Sequence, residues 1–83
     1  MNETQERTSQ EVIRDLVAEH GSVDFELVGS DSNAGAIMGN IRKAARDQGW
    51  PREAWQQLPV LLMSAGTYDD LLYCAMIVTG DAD

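Results

Sequence analysis

Ser30, Asp31 and Ser32 put three helix-capping side chains in succession and open the most strongly patterned stretch of the chain. Side chains of this kind accept a hydrogen bond from one of the free N–H groups at a helix start. Beyond them Ala34, Ile37, Met38, Ile41, Ala44 and Ala45 recur at helical spacing as one apolar stripe, and Gly49 supplies a stop. The spacing predicts a helix over about 33–48. Arg42, Lys43 and Arg46 lie toward its C-terminal end, where the macrodipole favours cations. Gly35 and Gly39 lie within it. A helical glycine costs about 0.5–1 kcal/mol relative to alanine, so two of them lead us to expect a second backbone close by.

The flanking segments read as short elements that cover this helix. Residues 1–7 are polar and expected to fray. Thr8 with Glu11 has capping-box spacing, and Val12, Ile13, Leu16 and Val17 form a stripe ending at Gly21, which predicts a helix over about 9–20. Val23-Asp24-Phe25-Glu26-Leu27 alternates apolar and acidic residues, the pattern of a half-buried strand. No second strand pattern follows to pair with it. Two outcomes satisfy it: an extended segment lying over helices with its edges in water, or pairing of Val23–Val28 with the same segment of a second copy in a homodimer.

Pro51 suits the first turn of a third helix, which Pro59 should kink or break near Gln57 or Leu58. Val60, Leu61, Leu62 and Met63 then form a second apolar turn before Gly66. Thr67 caps a fourth helix, with Asp69 and Asp70 in its first turn, which runs through Leu71, Leu72, Ala75, Met76 and Val78 to Gly80. The expected fold is one small domain over 1–83: mainly α, about four short helices around one short strand-like segment, and α+β if that segment pairs across a homodimer.

Charge narrows the partner classes. The chain carries a net −8 over 83 residues. Residues 1–41 hold eight carboxylates against Arg7 and Arg14, a net −6; residues 42–52 hold Arg42, Lys43, Arg46 and Arg52 against Asp47, a net +3. Residues 53–83 hold Glu53, Asp69, Asp70, Asp81 and Asp83 with no base, a net −5. A small acidic chain of this kind is repelled by nucleic-acid phosphates, so direct nucleic-acid binding is not expected. No apolar run approaches the roughly 20 residues that span a bilayer, and the acidic N-terminus is unlike a signal peptide. With one cysteine no intrachain disulfide forms, which suits a reducing cytoplasm.

Residues 27–76 carry two segments in a set order: Asp31-Ser32-Asn33-Ala34-Gly35-Ala36-Ile37-Met38-Gly39 and Gly66-Thr67-Tyr68-Asp69-Asp70-Leu71-Leu72. In both, and in the basic helix between them, this region resembles a family of small phage- and prophage-type proteins. Those proteins carry segments like Asp-Gly-Asn-Ala-Phe-Ala-Ile-Leu-Gly and Gly-Asp-Tyr-Asp-His-Leu-Leu. The chain departs from that pattern with Ser32 in place of glycine, Gly35 of phenylalanine, Thr67 of aspartate and Asp70 of histidine. The first two changes stiffen the loop and remove an aromatic contact. The helix at 9–20 lies outside the likeness, which implies a phage-type origin and fold and brings no activity with it.

Candidate functional residues are few. Ser30, Asp31, Ser32 and Asn33 at a helix start would offer N–H groups to a small anion such as a nucleotide, without the lysine and glycine spacing of a phosphate loop. Asp69 and Asp70 read as first-turn acids before they read as a metal or acid–base pair, and Cys74 reads as a small core residue. His20, the single histidine, falls at a helix end. No catalytic residues, metal site or cofactor are expected. Arg46, Trp50, Arg52 and Trp55 fall within ten residues, and arginine and tryptophan are the residues enriched at binding hot spots. The sequence therefore points to a non-enzymatic phage-type accessory protein in the host cytoplasm. It would bind a host protein, with an inhibitor of a host defence complex acting as an acidic mimic as the concrete form. A module binding an anionic nucleotide at Ser30–Asn33 is the alternative.

Overall fold

Asn33 sets where the central helix begins. In the computed structural model, which describes residues 8–27, 29 and 32–81, its Oδ1 accepts from the Gly35 and Ala36 N–H groups at 2.9 and 3.3 Å. The helix it caps spans Ala34–Gln48, here termed α2, and buries Ile37, Ile41 and Ala45. It ends at Gly49, whose φ of 109° is a left-handed conformation that side chains other than glycine adopt with strain. Of the three expected caps Ser30 and Asp31 lie outside the described residues and Ser32 is exposed; the cap is Asn33, which the spacing places as the first residue of the helix itself.

Helix α1 (Ser9–His20) starts with the expected capping box: the Thr8 hydroxyl accepts from the Glu11 N–H at 3.2 Å, and the Glu11 carboxylate accepts from the Thr8 N–H at 3.0 Å. The split third helix appears as α3 (Arg52–Trp55) and α4 (Gln57–Met63). The division falls at Gln56, just before the expected position. Pro59 has no N–H to give the Trp55 carbonyl four residues earlier, so the hydrogen-bond ladder lapses there. Helix α5 (Tyr68–Thr79) is capped by Thr67, whose hydroxyl accepts from the Asp70 N–H at 3.1 Å.

The molecule is thus mainly helical, with α3 and α4 as the two halves of one broken rod. Helix α5 is the inner element: Leu71, Cys74, Ala75, Ile77 and Val78 are all buried. Helix α1 packs on α5 and α4, burying Ile13 and Leu16, while α2 packs on α3, α4 and α5. Leu58 and Leu62 of α4 close the core from the other side.

No β-strand forms among the described residues. Residues 22–27 lie over the helices, with Val23 buried, Phe25 and Leu27 half-buried, and Asp24 and Glu26 exposed. Three successive N–H groups find acceptors within the chain: Val23 donates to the Val78 carbonyl at 2.8 Å, Asp24 to Gln48 Oε1 at 2.7 Å and Phe25 to the Val23 carbonyl at 3.0 Å. Gln48 Nε2 donates in return to the Ser22 carbonyl at 2.7 Å, so one side-chain amide does the work of a neighbouring strand. The segment's need for a second copy is removed to that extent; Val28 lies outside the described residues.

The expectation drawn from Gly35 and Gly39 is corrected. Both are exposed; a Cβ on Gly39 would meet nothing within 4 Å, and one on Gly35 would meet only the capping Asn33 oxygen at 3.2 Å. They face solvent, and no backbone approaches. Among the described residues no helix is long and apolar enough to cross a membrane.

Candidate functional site

The four residues singled out between 46 and 55 divide between the core and the surface. Trp50 is 4% exposed and belongs to the core, its N–H donating to the Ala45 carbonyl at 3.0 Å. Its ring meets that of His20, with centroids 5.2 Å apart and planes inclined at 44°. The His20 ring thus packs across the end of α1 against an aromatic face. The indole Nε1–H of Trp50 is buried with no acceptor. As a partner contact Trp50 is therefore corrected: its ring is buried beside the His20 ring and offers no surface.

Trp55 is the indole at the surface. It is half-buried on α3, and the Arg42 guanidinium lies over its ring at 5.3 Å, a cation–π contact between α2 and α3. Arg46 follows Arg42 by one turn of α2, and Arg52 precedes Trp55 by one turn of α3; both are exposed. Asp47 takes a hydrogen bond from Lys43 Nζ at 3.0 Å and one from Arg46 Nε at 3.3 Å. The hydrogen bond from Lys43 does most to hold the Asp47 carboxyl below its usual range, with Arg46 adding to it. That pairing leaves Arg42 and Arg52 without an ion pair among the described residues. The resulting face is an arginine–tryptophan stack flanked by two further arginines, on a molecule that is otherwise acidic. Sequence spacing put Arg42 in the basic cluster; only the packing of α2 on α3 brings it onto Trp55.

At the start of α2, Asn33 satisfies the Gly35 and Ala36 N–H groups, and the Asn33 carbonyl accepts from the Ile37 N–H at 2.9 Å. The cap thereby occupies two of the donors that an anion would use there. Ser32 is exposed, and its carbonyl accepts from the Tyr68 hydroxyl, which ties the α5 start to the loop before α2. Asp69 and Asp70 are exposed in the first turn of α5, and among the described residues no three His, Cys, Asp or Glu side chains gather as a metal site would need. Cys74 is buried; burial pushes its thiol up, and the charge of Asp70 pushes it further.

A second surface escaped the sequence reading. Val60 and Met63 of α4 are 68% and 69% exposed, although the run Val60–Met63 reads as one apolar turn. Four consecutive apolar residues cannot all face inward on a helix, and that is the signal that would have found them. Beside Met63 a groove of about 230 Å³ runs between α2, α4 and α5, lined by Ala34, Met38, Leu62, Thr67, Tyr68 and Leu71 as well.

Set against protein-family models, curated proteins and solved structures, the chain matches none of them.

Proposed function

We propose that this chain is a non-enzymatic protein-binding module of phage type that acts by occupying a host protein, with inhibition of a host defence complex as the concrete form. The observation that carries the reading is the Arg42–Trp55 stack at 5.3 Å with Arg46 and Arg52 exposed beside it. A rigid aromatic face with guanidinium groups around it is the composition of an interface hot spot. The acidic surface around it, on a chain of net −8, repels nucleic acid and favours encounter with a basic partner. The likeness of residues 27–76 to the phage-type family supports the origin.

The test is capture from host lysate on the tagged full chain, read by native mass spectrometry. The expected result is one host protein held in stoichiometric amount, with capture falling about tenfold or more for Arg46→Glu and for Trp55→Ala, the size of a hot-spot loss. Circular dichroism on each variant separates that loss from unfolding. Capture that survives both substitutions overturns this surface as the contact. Undiminished activity after reversing Glu11, Glu19 and Asp81, together with Glu3, Glu6 and Asp83 outside the described residues, overturns acidic mimicry.

A further inference from the structure

Arg42 differs from most of the chain's cations in what its side chain touches. Lys43 and Arg46 share Asp47, and Arg14 donates to the Tyr73 hydroxyl at 3.2 Å. Arg42 is half-buried, its guanidinium held over the Trp55 ring at 5.3 Å, and among the described residues no carboxylate or other hydrogen-bond acceptor meets it. A guanidinium carries five N–H donors in a planar fork and keeps its charge at any ordinary pH. The indole face attracts that charge and supplies no oxygen to the donors. Holding the group against the ring beforehand also removes part of the ordering cost of binding an anion. Arg46 lies one turn further along the same side of α2, and Arg52 lies one turn before Trp55 on α3, exposed and without an ion pair among the described residues. Glu53, the one carboxylate on α3, lines a different groove with Gln56, Gln57, Val60 and Leu61. Residues 42–52 hold four cations against Asp47, whereas the rest of the chain holds two cations against 13 acids.

We infer that this face receives a carboxylate-rich segment of the partner protein, with one Asp or Glu side chain pairing with Arg42 beside Trp55 and its neighbours meeting Arg46 and Arg52. The inference rests on the protein-binding reading of the same surface and adds the chemistry of what that surface grips. The two oxygens of a carboxylate match the guanidinium fork in a bidentate pair. Nucleic acid presents its phosphates in a continuous row, and a chain of net −8 repels that row along its length. A short acidic segment instead confines its charge to the cationic face. Field and contact thus differ in sign: the acidic surface draws a partner that is basic overall, and an acidic segment of that partner fits the stack.

Titration of the isotope-labelled full chain with end-capped hexaglutamate at low ionic strength tests this, followed by NMR at the Arg42 side-chain Nε–H and the Trp55 indole N–H. Both signals are expected to shift saturably. Arg42→Gln is expected to weaken binding tenfold or more. Arg42→Lys, which keeps the charge and loses the fork, is expected to weaken it as well. Arg52→Gln, at an exposed position outside the stack, is expected to weaken it severalfold, with circular dichroism reporting an intact fold for each variant. Arg14→Gln, which removes a cation from α1, is expected to leave the affinity unchanged. The absence of a saturable shift overturns the inference. An equal loss for Arg14→Gln and Arg42→Gln overturns it too, since binding then follows net charge alone. Hexauridylate binding as tightly as hexaglutamate overturns the choice of carboxylate over phosphate. Host-protein capture that persists without hexaglutamate binding overturns the acidic segment alone, whereas hexaglutamate binding without capture overturns the host-protein reading alone.

Discussion

At Gln48 a single amide accepts from the Asp24 N–H and donates to the Ser22 carbonyl, each at 2.7 Å. The alternation of residues 23–27 was legible in the sequence and survives as burial of Val23 over exposed Asp24 and Glu26. Its hydrogen-bond partner was not legible, because a glutamine more than twenty residues away leaves no periodic trace. Gln48→Leu removes both bonds, and because the site is exposed, water takes over the backbone groups. The cost is expected near about 1 kcal/mol, a fall of roughly 4–8 °C in Tm for a domain of this size. Gln48→Glu keeps the acceptor, loses the donor and sets a new carboxylate close to Asp24 and Asp47, so its deficit should be larger at neutral pH than in acid. A melting curve for Gln48→Leu that overlays the natural chain would show that the amide does not hold the segment. Cys74 gives a second test at this scale. An unfolded thiol ionises near about 8.5, whereas burial and Asp70 raise the folded value. The stability this contributes is fully present below about pH 8.5 and is lost as pH climbs through the folded value. Cys74→Ala is therefore expected to lose less stability than the natural chain as pH rises from about 8 to about 10, measured by urea melts at each pH.

Among the elements, those with local signals were the readable ones. The capping box of α1, the Thr67 cap of α5 and the Gly49 stop of α2 each rest on residues within a few positions of each other. What escaped depends on which way a helix faces. Trp50 and Trp55 are alike in sequence, yet one is buried against His20 while the other lies on α3 under Arg42. Val60 and Met63 share a run with Leu58 and Leu62, yet only the leucines point inward. The glycines of α2 teach the same lesson in reverse. Gly39 is exposed with open space where its Cβ would be, so it keeps the entropic cost of a helical glycine without a close neighbour to require it. Gly39→Ala should stabilise the chain by about 0.5–1 kcal/mol, visible as a higher urea midpoint with an unchanged slope. A midpoint that falls instead would reveal a contact on that face of α2, and loss of host-protein capture in a more stable variant would place the partner there.

For the molecule as a whole, charge is distributed so that attraction is local and repulsion is general. The cluster of Lys43, Asp47 and Arg46 is solvent-exposed, and exposed pairs of this kind contribute little. Against it stands a net −8 on a 9.1 kDa chain, a self-repulsion felt by the folded form more than by an expanded one. Salt should therefore stabilise this protein, where a fold held by surface ion pairs would be weakened by it. Raising ionic strength from about 0.01 M to about 0.15 M shortens the screening length from roughly 30 Å to roughly 8 Å. That suppresses repulsion across the molecule and leaves contacts between touching atoms in place. The measurement belongs at low protein concentration, where self-association contributes nothing to Tm. The expected outcome is a Tm that rises with sodium chloride and levels off once the screening length falls below the spacing of neighbouring carboxylates. A Tm that falls over the same range would mean that the Lys43–Asp47–Arg46 cluster and the Arg42–Trp55 stack outweigh the general repulsion. The acidic surface would then be a set of local contacts, and the case for a long-range field that selects a basic partner would fail with it.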